Sequence, residues 1–287
     1  MPLTTQTMSD QQYASLRKII YDRSGIWFAD SKKYLLESRL GDRLNELEIE
    51  DYDQYIVFLT MGPYREDEFQ VMFSKITINE TSFFRNQPQL DVFEKNVLPG
   101  VIEARRDRKM LRIWSAACSS GQEPYTLAMM VRRTLGIRAM DWSVEIVGTD
   151  ISDRVLKIAK TALYPKSAIG NMSFDILSKY FDHEGDEYKI KPDIRDMVHF
   201  DKVNLKDRLA TGRHGKFDVI FCRNVMIYFD DDMRKQCLDI FSKQLADDGT
   251  LFIGHSETII NRDLFTPRAE PQSFAYVKSQ REFGRVA

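Results

Sequence analysis

Residues able to do chemistry gather in a few short stretches of this chain. Leu111-Arg112-Ile113-Trp114-Ser115-Ala116-Ala117-Cys118-Ser119-Ser120-Gly121-Gln122-Glu123-Pro124-Tyr125 begins as an apolar strand and crosses a turn of small residues. An amphipathic helix follows, marked by Tyr125, Leu127, Ala128 and Val131. Strand, small-residue turn and helix make a nucleotide-sized crevice at the carboxyl end of the first strand of a doubly wound sheet. Small side chains there let the backbone approach a ligand closely. The spacing is neither G-x-G-x-x-G nor a P-loop, so a compact adenosine ligand without phosphates fits better than a dinucleotide or a triphosphate. Val147-Gly148-Thr149-Asp150 closes a second strand with a carboxylate suited to ribose hydroxyls, or else capping the next helix. Phe217 to Cys222 is an apolar strand that runs into Arg223-Asn224 and then Tyr228-Phe229. Either these polar groups face a crevice, or Arg223 is a surface ion-pair partner and Tyr228 packs in the core. Asn79-Glu80-Thr81-Ser82-Phe83-Phe84-Arg85 sits where two regions join, a common place for ligands; the plain alternative is a helix cap and an aromatic plug.

The elements that must hold these residues divide the chain in two. Residues 1–85 read as a small helical bundle. Ser9-x-x-Gln12 forms a capping box ahead of Tyr13, Leu16 and Ile20, and Leu36, Leu40, Leu44 and Leu47 recur at helical spacing. Asp53 to Leu59 and Tyr64 to Phe73 predict two more helices around the Gly62-Pro63 break. Residues 86–287 alternate strands (Leu111–Ser115, Val144–Asp150, Phe217–Arg223, Thr250–Gly254, Ser273–Val277) with helices (Pro124–Leu135, Asp153–Thr161, Asp231–Leu245). That alternation predicts an α/β domain with a Rossmann-like, three-layer parallel sheet. A helix at Ser173–Phe181 and strand-like pieces at Tyr188–Ile190 and Val198–Phe200 predict a small β insertion over about 178–202.

Composition narrows the function classes. A net charge of -2 over 287 residues gives no global field to recruit nucleic acid. Cys118, Cys222 and Cys237 have no C-x-x-C spacing and the four histidines are scattered, which predicts reduced thiols and no metal centre. No basic-then-apolar leader pattern opens the chain and no apolar stretch approaches the ~20 residues of a membrane span. The expectation is a cytoplasmic protein without membrane insertion.

Several motifs then occur in order: Asn79-Glu80-Thr81-x-Phe83-Phe84-Arg85, Trp114-Ser115-Ala116-x-Cys118-Ser119-x-Gly121-x-Glu123-Pro124-Tyr125, Thr149-Asp150, Asn204-Leu205, Cys222 to Phe229, and Gly254-His255-Ser256-Glu257. Together they resemble the chemotaxis-receptor glutamate O-methyltransferases, the CheR family, across nearly the whole chain. The resemblance implies S-adenosyl-L-methionine as cofactor, S-adenosyl-L-homocysteine as product and receptor glutamates as methyl acceptors. It implies that Asn79, Thr81 and Arg85 touch the methionine end, with Arg85 also beside the transferred methyl. Glu123 and Asp150 would share the amino group and the ribose or adenine side. Asn204 and Leu205 would border the adenine, with Asn224 and Val225 nearby, and Ala117, Gly121 and Arg223 complete the cofactor set. Tyr228 would orient the incoming carboxylate and act with Arg85 in catalysis. Two positions depart from the family pattern: Ala117 stands where many members carry glycine, and Gln122 where many carry glutamate.

A glutamate carboxylate, with an ordinary pKa near ~4.3, arrives ionised and needs no strong base. The enzyme must align oxygen, methyl and sulfur and strip water from the anion. On the partner side, Arg17, Lys18, Arg23, Lys32, Lys33, Arg39 and Arg43 bias the first bundle basic, with Arg39 and Arg43 four apart on one face. That face complements the acidic helices of methyl-accepting chemotaxis receptors; the alternative is a solvated face with pairs such as Lys33–Glu37. The short insertion around Gly185 predicts independence from a receptor-tail peptide, and regulatory adaptor proteins stay open as partners. A cofactor sensor without chemistry would not need Arg85 and Tyr228. A nucleic-acid methyltransferase would show a basic surface and a base-attacking motif, and Cys118 and Cys222 read as packing residues.

Overall fold

The computed structural model describes residues 7–279 apart from Ile78, Asn171, Asn261 and Pro271. In the first region α1 (Asp10–Ser24), α2 (Lys33–Glu46), α3 (Tyr52–Met61) and α4 (Arg65–Ile76) form the bundle. The Ser9 hydroxyl accepts from the Gln12 N–H while the Gln12 side chain accepts from the Ser9 N–H, the reciprocal box read from the sequence. Leu16, Ile20, Leu36, Leu40, Leu44, Tyr55, Leu59 and Met72 are fully buried between these helices.

Next come α5 (Gln87–Val92), α6 (Leu98–Ala104), β1 (Met110–Ala116), α7 (Gln122–Leu135), β2 (Ser143–Asp150) and α8 (Asp153–Thr161). They are followed by β3 (Leu163–Pro165), α9 (Lys166–Ile169), α10 (Phe174–Tyr180), β4 (Phe181–Glu184), β5 (Glu187–Ile190) and α11 (Pro192–Arg195). The chain then runs through β6 (Val198–Lys202), α12 (Arg208–Gly212), β7 (Phe217–Cys222), α13 (Asp231–Gln244), β8 (Leu245–Ile253), β9 (Phe265–Pro267) and β10 (Ala275–Lys278).

The main sheet has the order β6-β2-β1-β7-β8-β10-β9. Its first five strands are parallel, but β10 runs antiparallel to both β8 and β9. The expected all-parallel sheet is therefore mixed. A parallel return needs a crossover, usually helical; no helix occurs among the described residues between β8 and β10, so the last two strands pair as a hairpin. The β insertion also differs from its expected bounds. Its sheet, β3-β5-β4, takes a strand from before α10, and Val198–Phe200 lies instead in β6, paired with β2 at the edge of the main sheet.

From β1 the chain winds out through β2 to β6 and returns to β7 and β8 on the other side. The order thus reverses between β1 and β7, and a crevice opens over their carboxyl ends. Trp114 anchors this junction: its Nε1 donates to Thr149 Oγ1 at 2.9 Å and its ring stacks on Phe217 at 5.5 Å. The bundle leans on the same end. Asn204 Nδ2 donates to the Arg23 carbonyl at 2.6 Å, Lys206 Nζ to the Tyr21 carbonyl at 2.6 Å, and Trp27 N–H to the Tyr228 carbonyl at 2.8 Å. Among the described residues no helix is long and apolar enough to cross a membrane.

Candidate functional site

A crevice opens where the strand ends of the main sheet meet the bundle and the linker. Its floor is built by strand-end turns: Ala117–Ser119 after β1, Asp150–Ile151 after β2, Val203–Leu205 after β6 and Arg223–Val225 after β7. Ser24 and Ile26 from the end of α1, with Asn79–Ser82 and Arg85 from the linker, close it from the bundle side. Ser24, Ile26 and Ile151 carry no motif, and no signal in the sequence marks them as part of the site.

The turn after β1 carries three left-handed residues, Ala117 (φ 60°), Ser119 (φ 51°) and Gly121 (φ 93°). A buried carboxylate organises it. Asp150 Oδ2 accepts from the Ser119 N–H at 2.9 Å, and Oδ1 accepts from the Ser152 N–H at 3.0 Å. Burial raises the Asp150 pKa, and the N–H groups of Ser152 and Ser119 pull it back. Asp150 thus fastens the turns after β1 and β2 and lines the crevice, while α8 itself, with Ser152 at its N-cap position, has no side-chain cap. Gly121 differs from expectation and is not on the crevice wall. A Cβ there would sit 2.9 Å from Ala159 Cβ and from Tyr164 Oη, so the missing side chain lets α7 pack against α8 and β3.

Glu123 and Arg223 are drawn together. Glu123 Oε1 accepts from Ser115 Oγ at 2.7 Å and Oε2 from Arg223 Nη1 at 2.9 Å. Arg223 Nη2 donates onward to the Arg85 carbonyl at 2.7 Å. The Arg223 side chain is 4% exposed, so the surface-pair reading fails and the guanidinium is an internal tie between β1, α7 and the linker. The linker is fastened twice more: the Phe84 N–H donates to Thr126 Oγ1 at 3.2 Å, and Ser119 Oγ donates to the Asn79 carbonyl at 3.2 Å. Phe83 plugs the small sheet, edge-on to Tyr164 at 5.0 Å and to Phe181 at 5.5 Å.

Arg85 and Tyr228 line the same crevice. Burial raises the Tyr228 phenol pKa, while the charges of Arg39 and Arg85 work against that rise. Thr81, Leu205, Asn224 and Val225 also face the crevice. The Asn204 amide is committed elsewhere, donating to Arg23 and accepting from the Lys206 N–H. Cys118 and Cys222 are buried, and burial pushes both thiols well above their ordinary range.

The basic face expected on the bundle is split: Arg39 and Arg43 turn toward α4, while Lys18, Arg23 and Lys32 stay exposed. Arg43 Nε and Nη2 grip the buried Glu68 carboxylate at 3.0 and 2.6 Å, and Nη1 reaches Glu46 at 2.8 Å. Arg39 donates to the Ile76 carbonyl, Arg17 pairs with Asp30 and Arg23 with Glu66. Lys33 pairs with Asp10 rather than Glu37. Four apart on one helix face places Arg39 and Arg43 together, but that face looks at α4.

Residues 11–77 match the profile of the CheR methyltransferase all-alpha domain, and residues 79–274 that of the CheR methyltransferase SAM binding domain. The chain is similar to the chemotaxis protein methyltransferase of Borreliella burgdorferi, 37% identical over 255 residues that cover 88% of this chain and 89% of the relative. It is 34% identical to chemotaxis protein methyltransferase 2 of Vibrio cholerae, covering 88% and 87%. With the Escherichia coli chemotaxis protein methyltransferase the identity is 35%, covering 87% and 85%.

Proposed function

The chain belongs to the CheR methyltransferase family and uses S-adenosyl-L-methionine, and from that premise we propose that it methylates glutamate side chains on the helices of methyl-accepting chemotaxis receptors. In this reading residues 1–85 face the receptor, residues 86–287 carry out the transfer, and the work is done in the cytoplasm. The observation that carries it is the convergence of Arg85, Tyr228 and the Asp150-organised turn on one crevice.

The donor set suits such a ligand. Asp150 offers acceptor lone pairs for a diol at the β2 tip, and Ile151, Leu205 and Val225 supply apolar wall for a base. Asn79, Thr81 and Arg85 line the bundle side of the crevice and would take the amino-acid end, together with Glu123, which already shares its charge with Arg223. Bound, the cofactor supplies a methyl group already activated on a sulfonium. The protein then has no proton to remove, because the acceptor carboxylate is ionised. Arg85 and the Tyr228 hydroxyl orient that carboxylate by charge-assisted hydrogen bonds. A phenol raised by burial stays protonated and keeps donating. Orientation matters more than tight pairing, since a strongly held anion is a stabilised ground state.

Transfer of labelled methyl to receptor cytoplasmic fragments tests this, alongside calorimetry with S-adenosyl-L-homocysteine. Arg85→Ala and Tyr228→Phe should each slow transfer by about 100-fold while product nucleoside still binds. Undiminished transfer by both variants would refute the assignment of these two residues. A loaded enzyme that leaves every receptor fragment unlabelled would refute the substrate.

A further inference from the structure

Past β7 the backbone leaves the sheet through Arg223, Asn224 and Val225 and turns once through Met226–Tyr228 before α13. Asn224 is left-handed, with φ 59°. Irregular backbone of this kind leaves amide N–H groups without ladder partners, and buried N–H groups need acceptors. One carboxylate meets three of them. Glu257 Oε1 accepts from the N–H groups of Val225 at 3.0 Å and Ile227 at 3.3 Å. Its Oε2 accepts from Asn224 at 3.1 Å and from Gly254 at 2.6 Å. Glu257 is 5% exposed and is not part of the crevice wall.

The fit is tight. A Cβ on Gly254 would lie 2.7 Å from Glu257 Oε2 and 2.9 Å from the Asn224 nitrogen, so only glycine lets strand end and loop close on the carboxylate. Gly254 directly follows β8, whose last residue Ile253 pairs with Cys222 at the end of β7. Four converging N–H dipoles hold the anion in place. Glu257 thus ties the loop to the end of the sheet, alongside the bonds that the Trp27 N–H makes to the Tyr228 carbonyl and Arg234 Nε to the Met226 carbonyl.

We propose that Glu257 is a positioning residue for methyl transfer, acting through the 224–228 loop to aim Tyr228 into the crevice. This rests on the reading of Tyr228 as a group that touches the substrate. The energetic logic is preorganisation: half-exposed Tyr228 lies on a short irregular turn, and its hydroxyl is aimed no better than its backbone is held.

A double-mutant cycle on the full chain tests it, with kcat at saturating cofactor and receptor fragment, thermal midpoint and S-adenosyl-L-homocysteine affinity as readouts. Glu257→Gln keeps the size but offers one acceptor oxygen to four donors and sets an NH₂ group against N–H groups. Measured well below its midpoint, it should lower kcat by about tenfold or more. Tyr228→Phe should then cost far less in the Glu257→Gln background than in the wild type. Gly254→Ala presses the same clamp from the other side and should reproduce the effect if Glu257→Gln does not fold. Additive effects, or a lowered midpoint with intact kcat, overturn the inference by reducing Glu257 to a structural residue. An unimpaired Tyr228→Phe single variant would instead refute the reading it rests on.

Discussion

Replacing Arg43 should break the bundle rather than a docking surface. Its guanidinium holds Glu68 through two bonds, and Glu68 is 3% exposed with the Tyr55 hydroxyl, at 2.8 Å, as its other side-chain partner. Arg43→Ala strands a carboxylate between α2, α3 and α4 with one neutral donor. Removing one member of a buried pair costs about 3–5 kcal/mol, against a total stability of about 5–15 kcal/mol. At roughly 2–4 °C per kcal/mol, the thermal midpoint should fall by about 6–20 °C. Arg39→Ala loses a single bond from a half-buried side chain to a carbonyl and should cost no more than ~2 kcal/mol. Calorimetry and urea unfolding of the two variants, beside receptor methylation at several salt concentrations, separate the roles. Arg39→Ala should fold nearly as wild type and leave the salt dependence of transfer unchanged, since its guanidinium is also committed to α4, whereas Arg43→Ala should lose activity only as it unfolds. If Arg43→Ala unfolds within ~1 kcal/mol of wild type yet fails to methylate receptor, Arg43 faces the partner and the inward assignment is wrong.

Arg223→Met should cost about 3–5 kcal/mol by urea unfolding and slow transfer by freeing the Arg85 carbonyl; adding Glu123→Leu should restore stability but not activity. A single-variant loss under ~1 kcal/mol would contradict the internal tie. Ala117→Gly should raise stability by about 0.5–1 kcal/mol: a left-handed L-residue costs roughly 1–2 kcal/mol, and glycine returns part of that as chain entropy. Gly121→Ala goes the other way, by about 1–3 kcal/mol, because strain at φ 93° adds to a Cβ 2.9 Å from Ala159. Transfer rate should fall below about pH 5 as the acceptor carboxylate protonates and stay level to about pH 9, since burial lifts the Tyr228 phenol above its usual range. An alkaline limb centred near pH 8 would count against Tyr228 as hydrogen-bond donor.

Local pattern made much of this legible. β1, its small-residue turn and α7 are contiguous, so strand, turn and helix could be read directly, and Asp150 and Tyr228 fall on the crevice that pattern implies. What stayed hidden depends on partners distant in sequence. β6 is a short Val-His-Phe-Asp-Lys stretch whose sheet membership is decided by β2; Ile146, the partner of Val198, lies 52 residues earlier, beyond any local window, so their pairing is a tertiary fact. Gly121 reads as a ligand-facing gap until Ala159 and Tyr164 are seen to fill it. Arg43 reads as solvated because nothing within one helix reveals Glu68, 25 residues away.

The end of α1 has one last consequence. Ser24 and Ile26 wall the crevice while Arg23 and Tyr21 take hydrogen bonds from Asn204 and Lys206, so whatever fills the hollow also welds the two halves of the chain. Ligand at 100 times its Kd adds about 2.7 kcal/mol to the stability of the folded chain that forms this site. A nucleoside leaving the hollow would therefore give up the wall that Ser24 and Ile26 supply as well as the strand tips.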